Sequence, residues 1–299
     1  MVRAKRSANN DPSYRTLKAE YYPVQRTMDL RSTGTEVDYY VCDVGRCLST
    51  MNHRLYRQGK TYSVKIDLHP GQADTYDVYA LVDTWYIQKA WQLARKVYLD
   101  NMAHERSVMS KQQVARWEDF RVNAGLSGWT GNQLVPSNYS NGMASSARTD
   151  GEFALTEITL ADGTTNRSFT WAGTSGSELG ILAEYDKSGG TDPAPATSSG
   201  PKAYAGVEGD VSESSLDHLQ EKGDLPPYNN TNFDTRVWVR IARLDGAATH
   251  GKLSTGYFNA PCGLIVVQPT APNSAVVNNV QLTVKAGNYK GVHAMNMGA

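Results

Sequence analysis

The side chains best able to do chemistry are thinly spread along this 299-residue chain. Its histidines, His53, His69, His104, His218, His250 and His293, never fall at HxH or HxxxH spacing, which would place two imidazoles on one metal ion. Cys42, Cys47 and Cys262 form neither a CxxC pair nor an even disulfide framework, so they read as small apolar strand residues. GxSxG, HExxH, the P-loop, and GxGxxG ahead of a helix are all missing. The acids Glu213, Asp217, Glu221, Asp224 and Asp234 are too far apart for a calcium loop, and Pro226-Pro227 interrupts them. A carboxylate pair for glycosidic hydrolysis needs no local signature, but nothing in the chain points to one. The expectation is a protein that is not an enzyme and needs no cofactor or metal.

Cations beside aromatics carry the remaining signal. Arg3, Lys5, Arg6, Arg15 and Lys18 give the N-terminal stretch a basic character, and such groups supply salt-sensitive contacts to phosphates. Arg236, Trp238 and Arg240 alternate along one strand face, where they could stack bases or pack on a neighbouring subunit. The subunit reading is preferred. The stretch "DTWYIQKAWQLARKVYLDN" (83–101) adds Lys89, Arg95 and Lys96. Net charge is zero overall but uneven. Residues 1–121 hold 19 Lys+Arg and 14 Asp+Glu, a net of +5, which leaves −5 for the remainder. This polarity allows head-to-tail association or one basic face.

These groups must be positioned by strands. "TYSVKIDL" (61–68) alternates strictly, with Tyr62, Val64, Ile66 and Leu68 on one face, which predicts a half-buried strand. "TEVDYYVCDV" (35–44), "CLSTMNHRLY" (47–56) and "YDVYALV" (76–82) also read as strands. The period then changes: Ile87, Ala90, Trp91, Ala94, Tyr98 and Met102 form one helical stripe, with Asp83 or Thr84 as cap. A second helix is expected from Ser110, where "SKQQ" has capping-box spacing ahead of Val114, Trp117 and Phe120. Residues 123–151 and 186–206 read as long loops. "FALTEITL", "RSFTWAG" and "ELGILAEY" read as strands between those loops. "TRVWVRIARL" (235–244), with Val237, Val239 and Ile241 inward, the apolar run "CGLIVVQ" (262–268), and "NNVQLTVKAG" (278–287) close the chain.

The expected fold is therefore all-β, a jelly-roll β-sandwich of about 8–10 strands with a two-helix insertion and long loops. Residues 1–34 form an arm; residues 35–299 form one jelly-roll domain with the helical insertion at 83–121. A division into two small sandwiches would fall at 186–206. Seventeen Tyr and six Trp against five Phe suit half-buried sheet faces and subunit interfaces. No apolar run approaches membrane-spanning length, and the N-terminus lacks a signal-peptide core.

The stretches "VYALVDTWYIQKAWQLARKVYLDN" and "ARWEDFRV" (78–101 and 115–122), with "EKGDLPPYNNTNF" (221–233), resemble the capsid proteins of small circular Rep-encoding single-stranded DNA viruses, the circovirus-like environmental group. The span from the first of these stretches to residue 122, together with 221–233, is about a fifth of the chain. It implies a coat protein that self-assembles into an icosahedral shell enclosing the genome. The chain would be made in a host cytoplasm or nucleus and reside in the virion. Its partners would be copies of itself and the genomic single-stranded DNA, with no membrane. Carried over, the genome-facing residues would be Arg3, Lys5, Arg6, Arg15 and Lys18. Trp91, Tyr98, Arg236, Trp238 and Arg240 are the expected subunit contacts. The chain departs from the family in its short arm and zero net charge, which fits weak genome contacts. The alternative is a glycan-binding, lectin-like jelly roll using Trp129, Tyr139 and Tyr204 to stack on sugars.

Overall fold

A computed structural model of the chain describes residues 23–32, 39–68, 75–110, 118–125, 132–139, 145–147, 156–159, 164, 166–171, 178–188, 237–245, 252–270 and 280–297. Its first strands are β1 (Thr27–Ser32), β2 (Tyr40–Asp43), β3 (Lys60–Leu68) and β4 (Thr75–Leu81), with helix α1 (Val44–Asn52) between β2 and β3. Helices α2 (Trp85–Asn101) and α3 (Ala103–Val108) follow. Then come β5 (Leu134–Tyr139), β6 (Ser145–Ala147), β7 (Glu157–Thr159), β8 (Asn166–Thr170), β9 (Glu178–Gly180) and α4 (Ile181–Ser188). The chain closes with β10 (Trp238–Asp245), β11 (Leu253–Ala260), β12 (Leu264–Pro269), β13 (Val280–Val284), β14 (Ala286–Gly287), β15 (Gly291–Val292) and β16 (Ala294–Asn296).

Eight of these strands make a jelly roll. The first four pair antiparallel with the last four main strands in reverse order: β1 with β13, β2 with β12, β3 with β11, and β4 with β10. Pairing β13 with β3 and β12 with β4 then sorts them into two sheets. One runs β11-β3-β13-β1, extended by β5 and β6, and the other runs β10-β4-β12-β2. Strands before and after residues 186–206 therefore share both sheets. The fold is an all-β sandwich with a helical insertion, and that insertion lies in the long connection from β4 to β10.

The core explains the sequence patterns. Between the sheets lie Leu30, Tyr40, Cys42, Tyr62, Val64, Ile66, Val78, Ile265, Val267 and Leu282, all buried. A second apolar cluster covers the other face of the four-stranded sheet. There Val41, Leu81, Leu264 and Val266 meet Tyr86, Ile87, Ala90, Trp91, Ala94 and Tyr98 of α2. β12 reads as an unbroken apolar run because Ile265 and Val267 point into the sandwich while Leu264 and Val266 point toward the helix. Each such side chain contributes roughly 1.5–3 kcal/mol of burial. Helix α2 has Thr84 at its N-cap without a side-chain cap bond, so its buried stripe holds it in place.

Several expectations are corrected. Residues 47–56 were expected as strand, but Val44–Asn52 is helical. Val44, Cys47, Leu48 and Met51 recur at helical spacing, and the Asp43 carboxylate caps the first turn by accepting from the Arg46 N–H at 2.9 Å. The stretch "ELGILAEY" is strand only to Gly180 and helical from Ile181. The expected loop 123–151 contains β5, which pairs with β1, and β6 beside it. β1 lies inside the expected arm; Met28 and Leu30 are buried, so an extended arm ends before residue 27. A short helix runs Ala103–Val108, and the helix expected from Ser110 falls on residues 111–117, which lie outside the described residues. In β10 a register shift between Arg240 and Ala242 breaks the alternation, so Ala242 and Leu244 face the core and Val239 is exposed. β3 is buried on both faces rather than one, since Thr61, Ser63 and Asp67 are also covered. No helix among the described residues is long and apolar enough to cross a membrane.

Two cross-strand carboxylates tie the sheets. Arg243 on β10 grips Asp77 on β4 with two bonds, Nε–Oδ1 at 2.9 Å and Nη2–Oδ2 at 2.8 Å. Asp67 on β3 lies 2.9 Å from Lys65 Nζ and 3.1 Å from Lys252 Nζ. The hydrogen bond from Arg243 holds the Asp77 carboxyl below its ordinary 3.8. For Asp67 burial pushes upward, but hydrogen bonds from Ser254, Lys65 and Lys252 prevail and the net direction is also down. A carboxyl depressed on folding stabilises above its unfolded pKa, and that stabilisation is lost as pH falls through the lowered folded value. Urea unfolding as a function of pH should therefore show stability falling below about pH 4. Asp77→Asn should flatten that fall, and an unchanged acid slope would refute the assignment.

Candidate functional site

The insertion is held by one buried ion network. Arg121 donates through Nε to Asp119 Oδ2 at 2.8 Å and through Nη1 to Asp43 Oδ2 at 2.7 Å. Asp43 is also the α1 cap, so the same carboxylate orders a helix and holds the insertion. Gln58 closes the network: its backbone N–H donates to Asp119, and its side chain exchanges two hydrogen bonds with the Val122 backbone at 2.7 and 2.9 Å. Burial disfavours the Arg121 charge, but Asp43 and Asp119 outweigh it and its pKa is raised. Burial likewise pushes Asp119 up, and Arg121 offsets this only in part.

Above this network lies a cleft of about 880 Å³. Four separate segments line it: residues 57–60 leading into β3, the outer side of α2, residues 118–120, and the C-terminal segment 289–297. Gly59 lets α2 approach closely, because a Cβ there would sit 2.3 Å from the Trp91 ring. Trp91 meets Phe120 edge-on at 5.8 Å, and Phe120 meets Phe169 at 4.9 Å, so the aromatic wall continues into the second core. Arg95 stands 5.8 Å from the Trp91 ring centre. The opposite wall is Tyr289, whose hydroxyl accepts from the Arg57 N–H at 3.2 Å. The turn that presents it needs positive φ at Lys290 (49°) and Gly291 (89°).

Two ammonium groups crowd this wall. Lys60 Nζ lies 4.2 Å from the centre of the Tyr289 ring and donates to the Asn296 side chain. Lys290 Nζ lies 5.5 Å from the same ring centre and donates to the Leu55 carbonyl. Both are half-buried, and neither has a carboxylate within ion-pair distance among the described residues. Burial, then the nearby Arg57 charge, lowers the pKa of each. Arg57 itself faces Glu118 at 3.4 Å.

No protein family, curated protein or solved structure matches this chain.

The residues expected to act are placed as follows. Trp91 and Tyr98 are buried within the chain, at 7% and 4% exposure, against Phe120 and its neighbours. The ring contacts described for both are intrachain. Trp238 is half-buried against the second core, and Arg240 is exposed with Asp77 at 3.7 Å. Arg3, Lys5, Arg6, Arg15, Lys18 and Arg236 lie outside the described residues, as do Trp129, Tyr204 and the Tyr139 side chain. Among the described residues no group of three or more His, Cys, Asp or Glu is placed to hold a metal. The three cysteines are buried. Cys42 lies on a strand as expected, but Cys47 is on α1 and Cys262 in a turn. Burial pushes the Cys262 thiol well up, as for a cysteine packed among apolar groups. Sequence reasoning passed over Arg57, Lys60, Tyr289 and Lys290, which share no local spacing. The faint cue was the basic run "RLYRQGK" (54–60).

Two substitutions test this construction. Arg121→Ala leaves Asp43 and Asp119 buried without their counter-charge and should cost about 3–5 kcal/mol in denaturant unfolding. A loss under about 1 kcal/mol would show the network to be dispensable. Gly59→Ala drives a methyl into Trp91 and should cost roughly 1–3 kcal/mol; a neutral outcome would mean that α2 can shift away freely.

Proposed function

We propose that this chain is a viral coat protein whose copies assemble into a closed shell around a genome. The observation that carries the reading is the strand order, four strands pairing in reverse with four later ones to form two facing sheets. This jelly roll is an architecture of viral capsid domains, and also of lectins and cupins. A cupin needs clustered histidines, and among the described residues no metal-binding cluster occurs. The large excursion between β4 and β10 supports the coat reading, because besides covering the four-stranded sheet it carries exposed apolar side chains. Exposed apolar side chains give it contact points: Trp85 on α2, Val108 on α3, Tyr257 on β11 and Met295 on β16 are all at least half exposed. The likeness of residues 78–101, 115–122 and 221–233 to coat proteins of circular single-stranded DNA viruses supports that virus class.

Electron microscopy of the purified chain tests this reading. Closed particles of uniform diameter are expected, and Trp85→Asp combined with Tyr257→Asp should reduce their yield while leaving the monomer folded. Monomers alone across low and high salt would overturn the proposal.

A further inference from the structure

We propose that the cleft between α2 and the C-terminal segment is a binding site for a phosphate group, with Lys60, Lys290 and Arg57 as its cationic contacts. The inference stands apart from the coat-protein reading and rests on the geometry of the cleft alone.

The charge balance points this way. Five cations line the cleft: Arg57, Lys60, Arg95, Lys96 and Lys290. Three carboxylates also line it, and neither Lys60 nor Lys290 is within ion-pair distance of one among the described residues. Asp119 is bound to Arg121 beneath the cleft, and Glu118 is drawn to Arg57. Asp100 is the remaining acid, on the exposed side of α2. Lys60 and Lys290 thus donate to neutral oxygens, from Asn296 and Leu55, and share one aromatic ring. An ammonium carries three donors, and each of these hydrogen bonds uses one, which leaves donor capacity for a ligand. Two half-buried like charges beside an arginine are unfavourable when empty, which agrees with the downward direction of both lysine pKa values. A multiply charged oxyanion relieves that repulsion and accepts several charge-assisted hydrogen bonds at once. The positions are fixed: Tyr289 is pinned by the Arg57 N–H, and Lys60 begins β3. A cleft of about 880 Å³ admits a nucleotide-sized group as readily as one phosphate of a longer strand.

Fluorescence anisotropy on the full-length protein, with labelled oligothymidylate and labelled ATP as separate probes, tests the site. The variant is Lys60→Gln combined with Lys290→Gln. Lys89→Gln, an exposed lysine on α2 outside the cleft, is the first control, and Arg3→Gln with Lys5→Gln and Arg6→Gln separates any contribution of the N-terminal stretch. The cleft variant should weaken binding by on the order of tenfold and, for the strand, lower the slope of log K against log salt by about 1.4. Lys60→Arg with Lys290→Arg keeps the charges and should restore binding, which separates lost contacts from a disturbed fold. Weakened oligothymidylate binding assigns the phosphate to a nucleic-acid strand, and weakened ATP binding alone assigns it to a free nucleotide. Either result supports the site. Binding of both probes unchanged in the cleft variant, or no binding of either by the parent protein, overturns it. Particle formation scored on the same samples keeps the two proposals separable, because each can fail without the other.

Discussion

The buried Arg121 guanidinium is the constraint from which the rest of the molecule is organised. It is wholly enclosed, and a charge in that position persists only when paired and hydrogen-bonded. Asp43 and Asp119 meet that demand from opposite parts of the structure. Asp43 ends β2 and starts α1; Asp119 belongs to the insertion. The ion pair therefore connects the sandwich to its excursion. It also fixes residues 118–122 beside Gln58, whose two hydrogen bonds to Val122 act as a short piece of sheet pairing made by a side chain. An apolar trio of similar volume could stabilise the same contact equally well. What the charges add is direction: an arginine forked between two carboxylates tolerates one orientation of the incoming segment.

That fixed return path lets α2 serve as the cover of a second core. The four-stranded sheet is apolar on both faces, which is unusual for antiparallel strands and costly unless both are covered. One face meets the other sheet. The second meets Tyr86, Ile87, Ala90, Trp91, Ala94 and Tyr98, with Phe120, Phe169 and Trp171 filling the margin. Helix α2 lacks a side-chain cap bond and has no basic residue in its last turn, so its own ends stabilise it little. It is a helix because a sheet needs covering, and its place is set by the residues on both sides of it. The close contact of Trp91 with Gly59 shows how little room remains at that seam.

How legible this was from sequence depends on whether a signal is local. The α2 stripe and the alternation of β3 and β13 are local periodicities, and all three elements lie where those periods place them. The continuous run of β12 reported correctly that both its faces are buried. α1 escaped because its nine residues are short and include residues that favour strands, although Asp43 ahead of Val44, Cys47 and Leu48 was a readable helix start. β5 escaped because its strand character comes from pairing with β1, about a hundred residues earlier in the chain, inside a stretch rich in Gly, Ser and Asn. The bulge in β10 reversed an alternation that looked clean. The cleft was the least legible of all, since its cations come from three segments that only the fold brings together.

The zero net charge of the chain consequently says little about the field at this cleft. Among the described residues, carboxylates near the sandwich are shared unevenly with their cations. Asp67 draws in both Lys65 and Lys252, Asp77 both Arg240 and Arg243, and Arg121 takes Asp43 and Asp119 together. Arg121 is the decisive case. By binding two acids with one cation deep in the protein, it engages the Asp119 carboxylate at the floor of the cleft where Lys60 and Lys290 lie. The same interaction that anchors the insertion thereby leaves the surface above it short of negative charge. The excess of lysine and arginine over carboxylates along the cleft is thus tied to how the fold is fastened, and charges in a walled, partly desolvated place act more strongly than on an open face.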